Sequence, residues 1–358
     1  QEQKLDEPKH KRRKTKEEPK KEHRTHATFK ALPREEKLMV FWNFFRSMLL
    51  GRNLPDGAEH SGGAIREHCL GGVFIRLPDV QKICKYLHEP QNPKSDLRRF
   101  QDSIEAIWSA VLFVYFGSGG QGGCLFDHFA CRRPLSTKHF THINLPQGAC
   151  LMPFSRVGLA ELSTAYHHLE VLTARMPRKD WFTELFAGDG RYVKSRMDAD
   201  QGLPLLVDLH KSVADLKTFL DEGCVGDLMR HRQQRLQEMG SDALEKHFAK
   251  YKGFGALSLK ELWTYLQPAM PIFSASTPPF GGGALAGARL VLGEDTTKTN
   301  VHERTQAFID NAVSQGHVEK STLLTAIREL KLDLPGVVDH SGAPSVLDLE
   351  VTFCWFQS

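Results

Sequence analysis

The sequence predicts a mostly α protein, built of repeated helix–loop–helix units behind a small α/β N-terminal domain and a basic, extended N-terminal arm. Three observations predict it. Apolar residues recur at helical spacing in stretches such as Glu35–Leu50 and Ile104–Phe116. A pattern of apolar helix, glycine-containing loop, β-type residue and second helix returns five times after residue 104. Positive charge is also segregated. Residues 1–34 carry twelve Lys or Arg and six Asp or Glu, a net of +6, which leaves −2 for the remainder of a chain whose total is +4.

A chain of 358 residues can hold two or three units, each with its own core. Its 41% hydrophobic and 25% charged content is that of an ordinary water-soluble protein. The densest apolar run, Ala110–Phe116, is seven residues long, well below the ~18 that a membrane span needs. Seven cysteines without a Cys-x-x-Cys pair argue against a zinc site or disulfide framework and for a reducing compartment.

In chain order, residues 1–34 form the arm. Lys9, Lys11, Arg12, Arg13, Lys14, Lys16, Lys20 and Lys21 make it densely cationic, and it has too few apolar residues to bury itself. Nucleic-acid phosphates are the partner such a segment suits. Residues 35–100 read as the α/β domain: a helix over Glu35–Leu50, a strand at Val73–Leu77, and a helix over Val80–Leu87 capped by Asp79.

The repeated pattern reads as degenerate EF-hands. An EF-hand loop needs a glycine at position 6, a β-type residue at position 8 and a bidentate Glu at position 12. Residues 101–225 form a first lobe. Its loops centre on Gly122 with Cys124, on Gly148 with Cys150, and on Asp189-Gly190, with Phe129 opening the first exit helix. Residues 226–335 form a second lobe. Ala249–Leu266 places Gly255, Leu257 and Glu261 at positions 6, 8 and 12; Gly316 and Val318 repeat positions 6 and 8. Leu257 and Val318 would pair across a short ribbon. The oxygen ligands are missing, since positions 1, 3 and 5 of the Gly255 loop are Lys250, Lys252 and Phe254. Two ammonium groups would repel calcium. Residues 268–293 read as a long loop, and 336–358 as an irregular tail.

This order of parts resembles the mitochondrial calcium uptake regulators, the EF-hand proteins that gate the calcium uniporter. FIRLPDVQKI, LEKHFAKYKGFGALSLKELWTYL and AFIDNAVSQGHVEKSTLLTAIREL carry the resemblance, over roughly residues 35–335. It implies EF-hand lobes and a mitochondrial address. The final calcium-binding hand it would imply is replaced by VVDHSGAPSVLDLE.

Other chemistry is weaker. FTELFAGDGR resembles the first motif of class I methyltransferases: Glu184 would end a strand, Gly188 and Gly190 would admit S-adenosylmethionine, and Asp208 would hold its ribose. Asp198, Asp200 and Asp208 are the only calcium-like carboxylates in a loop context. His167 and His168 point in adjacent directions on one helix and cannot share a metal through one face. The expectation is therefore a non-catalytic structural or assembly subunit of a large ribonucleoprotein of the mitochondrial matrix, foremost the mitochondrial ribosome. Its partners would be RNA and neighbouring proteins, with no cofactor, no metal and no transmembrane segment. A calcium-blind uniporter-type subunit and an RNA methyltransferase are the alternatives.

Overall fold

Ser103–Phe116, which contains the densest apolar run, forms a helix buried on nearly every side. A helix that is apolar all round has nowhere to go but the centre of the molecule. The computed structural model describes residues 29–53, 77–91, 94, 96–116, 125–186, 197, 200–266, 270, 280–318 and 344–356. Helices of seven or more residues there are α1 (Arg34–Asn53), α2 (Leu77–His88), α3 (Ser103–Phe116), α4 (Leu125–Cys131), α5 (Leu159–Ala174), α6 (Gly202–Asp221), α7 (Leu228–Phe248), α8 (Ala256–Leu266), α9 (Gly282–Leu292), α10 (Val301–Ser314) and α11 (Val346–Phe356). The one sheet among the described residues is an antiparallel hairpin of β1 (Leu135–Thr137) and β2 (Phe140–Ile143). The protein is mostly α, as its periodicity predicts.

Around α3 pack α2, α4, α6 and α8. The Trp108 indole on α3 donates a buried 2.7 Å hydrogen bond to the Leu151 carbonyl, so this large core side chain leaves no polar atom stranded. The Asp102 carboxylate caps α3 by accepting from the Ile104 amide at 3.0 Å. The same oxygen takes a 3.1 Å bond from Arg232 of α7, whose guanidinium also grips both oxygens of Asp221 at the end of α6, at 2.6 and 3.0 Å. One buried arginine thus ties three helices together, and its planar fork is suited to that geometry.

A second aromatic cluster lies where α1 meets α10 and α11. Phe41 of α1 stacks on Phe353 of α11 at 5.1 Å, and Trp42 stacks on Phe308 of α10 at 5.2 Å. Phe356 meets Phe29, Phe41 and Phe44 edge-on. Buried apolar side chains run without a break from this cluster to the α3 core.

Several expected elements are corrected. Of the α/β domain expected over 35–100, the two helices are present as α1, which joins the C-terminal helices, and α2, which packs on α3 and α8, while residues 73–76 of the expected strand lie outside the described residues. Leu77 begins α2 rather than ending a strand, so Asp79 lies inside the first helical turn instead of capping it. The expected loop 268–293 contains α9, and the expected tail 336–358 contains α11. In α11, Ser345 and Asp348 form a capping box: the Ser345 amide donates to Asp348 Oδ2 at 2.7 Å, and the Asp348 amide donates to Ser345 Oγ at 3.3 Å.

Further expected EF-hand features also give way. Leu257 lies inside α8, which starts at Ala256, so no ribbon can form there, and Glu261 sits in mid-helix rather than closing a loop. The sharp turn is taken by Gly253 (φ +90°) rather than Gly255, and a Cβ at Gly253 would stand 2.6 Å from Leu205 of α6. Gly148 does turn, at φ +84°, but the segment entering it is strand β2, not a helix. Phe129 lies within α4, four residues after its start. Gly316 has φ +71° because it ends α10: the His317 amide bonds the Ala312 carbonyl at 2.9 Å and the Gly316 amide bonds the Val313 carbonyl at 3.2 Å. That pair of bonds is the Schellman helix stop. Gly122, Cys124 and Gly190 lie outside the described residues, whereas Val318 is buried.

Candidate functional site

Lys9, Lys11, Arg12, Arg13, Lys14, Lys16, Lys20 and Lys21 lie outside the described residues. The best-formed cluster of reactive side chains elsewhere is one that sequence reasoning missed. Lys138 and His139 make the two-residue turn of the β1–β2 hairpin, and the His139 amide is held by Thr137 Oγ1 at 3.1 Å. The hairpin tip meets a distorted helical segment. There a single turn, Arg178–Asp180, runs into a π-helical turn, Trp181–Leu185, closed by a 2.8 Å bond from the Phe186 amide to the Trp181 carbonyl. Such wide turns often accompany functional sites. The Trp181 indole anchors this segment by donating to the Thr173 carbonyl at 3.0 Å, at the end of α5, and Leu185 and Phe186 are buried beneath it.

Asp180 and Glu184 are four residues apart, so they lie on the same side of that segment. His139 Nε2 is 3.0 Å from Asp180 Oδ2 and 3.6 Å from Glu184 Oε1. One ligand atom from each of the three side chains lies within 4.8 Å of the others, and among the described residues no other group of this kind forms. The Lys138 ammonium sits over the carboxylates, 3.2 Å from Asp180 Oδ1 and 2.5 Å from Glu184 Oε1. Glu184 is only 7% exposed, and its Oε2 is buried with no hydrogen-bond partner. Desolvation pushes the Asp180 carboxyl up, but the hydrogen bonds from Lys138 and His139 outweigh it and hold it below the usual carboxylate range. The hydrogen bonds that Lys138 donates to Glu184 and Asp180 raise its ammonium above its ordinary value. The cluster gathers two carboxyl groups, an ammonium and an imidazole at the meeting of hairpin and helix.

His168 of α5 meets a second imidazole, from another helix. It is half-buried, and its Nε2 meets His128 Nε2 of α4 at 3.1 Å, while His167 is exposed and pairs with Glu170. His128 Nδ1 lies 2.7 Å from the Arg133 carbonyl, which assigns its proton there and leaves Nε2 to accept from His168. Burial, then the neighbouring His128, lowers His168 to about 4, so the pair is neutral at pH 7.

Among the described residues, two parts of the methyltransferase reading take another form. Thr183 and Glu184 are helical rather than strand, and Asp208 is in the interior of α6. Gly188 and Asp198 lie outside the described residues; Asp200 is exposed in a turn ahead of α6. Comparison with known protein families finds no match, and comparisons with curated proteins and with solved structures find none either.

Proposed function

We propose that this chain is a non-catalytic structural or assembly subunit of a large ribonucleoprotein of the mitochondrial matrix, foremost the mitochondrial ribosome. The observation that carries the reading is the segregation of charge, +6 on residues 1–34 against −2 on everything after them. Such a division gives one end of the chain to phosphates and leaves the helical remainder for protein contacts. The eight arm residues Lys9, Lys11, Arg12, Arg13, Lys14, Lys16, Lys20 and Lys21 would lie along RNA, setting affinity without reading sequence.

The turn between α6 and α7 supports a protein-facing role for the remainder. Val225 is 96% exposed there, with Phe219 and Leu228 beside it at 40% and 39%. No helix among the described residues is long and apolar enough to cross a membrane. The degenerate EF-hand lobes, and with them the reading as a calcium-blind uniporter-type subunit, rest on α3 with α4 and α7 with α8, two pairs of helices consecutive in sequence.

Sedimentation of the tagged protein from mitochondrial lysate, with and without ribonuclease, tests the proposal. Co-migration with ribosomal subunits that collapses after ribonuclease is expected. Sedimentation with membranes, indifferent to ribonuclease, would reject it in favour of the uniporter-type subunit.

A further inference from the structure

We propose that His139, Asp180 and Glu184 form a binding site for one divalent transition cation of the zinc class, with the Lys138 ammonium standing in for the metal when none is bound. The donor set is one imidazole nitrogen and two carboxylate oxygens. Imidazole suits zinc and its neighbours, and carboxylates complete a three-ligand set that leaves a fourth position open. Zinc holds such ligands at 2.0–2.2 Å, which sets donor atoms about 3.4 Å apart in a tetrahedral arrangement. The separations of 3.0 and 3.6 Å from His139 Nε2 to the two carboxylates bracket that spacing before any metal enters.

A second observation points to a ligand independently. Glu184 Oε2 is buried and has no hydrogen-bond partner. A desolvated carboxylate oxygen left unsatisfied is costly, and the lone pairs of that oxygen are what a cation would take. Charge agrees. The two carboxylates carry −2, which one ammonium half compensates and one divalent ion neutralises. Lys138 is also free to leave, since its side chain is 59% exposed on a hairpin turn and its four-carbon stem can carry the ammonium into water. The cation would pin the hairpin to the π-helical turn, joining two segments that are 41 residues apart in sequence.

The test uses the full chain. Zinc binding is measured by calorimetry, and cobalt is used as a spectroscopic substitute, for the unaltered protein and for Glu184→Gln, His139→Gln and Lys138→Gln. One equivalent of zinc should bind saturably. Glu184→Gln and His139→Gln should each weaken it tenfold or more, and Lys138→Gln should bind severalfold more tightly because it removes the competing cation. Cobalt should show tetrahedral visible bands without thiolate charge transfer. No saturable binding, binding unchanged by both ligand variants, weaker binding in Lys138→Gln, or a thiolate band would each overturn the proposal. His139 lies at the hairpin tip, so its variant keeps the test open if Glu184→Gln fails to fold.

Discussion

A methyl group placed on Gly287 would stand 1.8 Å from the carbonyl oxygen of Phe353 and 2.5 Å from its carbonyl carbon. Helices α9 and α11 therefore cross backbone to backbone, and Gly287 is the residue that permits it. The obstacle to a side chain is main chain, which cannot swing aside as a rotamer can. Gly287→Ala should push α11 away and disturb the stacking of Phe353 on Phe41, at a cost of about 3 kcal/mol or more for forced overpacking. Gly282→Ala, in the same helix but with nothing within 4 Å, should leave stability unchanged or raise it by up to ~1 kcal/mol. Denaturant midpoints of the two variants check this, and equal midpoints would refute the close crossing.

The pair Lys260–Glu350 gives a second prediction. The ammonium of α8 and the carboxylate of α11 are 2.8 Å apart, with side chains 8% and 3% exposed. Lys260→Met should cost about 3–5 kcal/mol, because it strands a buried carboxylate. The double variant Lys260→Met, Glu350→Leu should recover most of that loss, because an apolar pair of similar size removes both desolvation penalties. A double variant no more stable than the single one would show that the pair itself holds α8 to α11.

Helix periodicity made most of the fold legible, and its failures have physical causes. Gly316 satisfies both an EF-hand loop and a Schellman stop, since each needs a positive φ; the difference lies in hydrogen bonds that a sequence does not display. The stretch Leu347–Phe353 alternates apolar and polar residues as a strand does. It is helical because α9 offers a glycine-lined face and Lys260 supplies a partner for Glu350. The Ser345–Asp348 capping box was the available signal for that helix. The candidate metal cluster was nearly invisible, because His139 meets Asp180 only through packing of the hairpin on the π-helical turn. The spacing of Asp180 and Glu184 was its one local trace.

Glu105 predicts a pH dependence. It is 6% exposed on α3, its Oε2 lacks a hydrogen-bond partner, and burial pushes its carboxyl up to about 7 despite opposing bonds from the Phe154 and Ser155 amides. A folded pKa above the unfolded value means that the native state holds the proton more tightly. The resulting stabilisation is complete below the unfolded value of 4.5 and is lost as pH rises through about 7. Between pH 5 and 8 the loss should be at most about 3 kcal/mol, from 1.36 kcal/mol per pKa unit. Glu105→Gln should flatten this part of the profile and be the more stable protein at pH 8. A profile unchanged by the substitution would place the titration on another group.

The arm gives the last prediction, and it depends on salt rather than on structure. If Lys9, Lys11, Arg12, Arg13, Lys14, Lys16, Lys20 and Lys21 all lie on phosphates, each releases a condensed counterion when RNA binds. The logarithm of affinity should then fall with the logarithm of salt concentration at a slope of roughly −6, since single strands contribute about −0.7 per phosphate. Replacing Lys9, Lys11, Lys14 and Lys16 by Gln should halve the slope to about −3 and weaken binding alike on unrelated RNA sequences. Filter binding or fluorescence anisotropy on two RNAs across a salt series measures both effects. A slope that the four substitutions leave intact would move the phosphate contacts off the arm and onto the helical remainder. The net charge there is −2, so binding would then need a local basic patch rather than the charge segregation argued above.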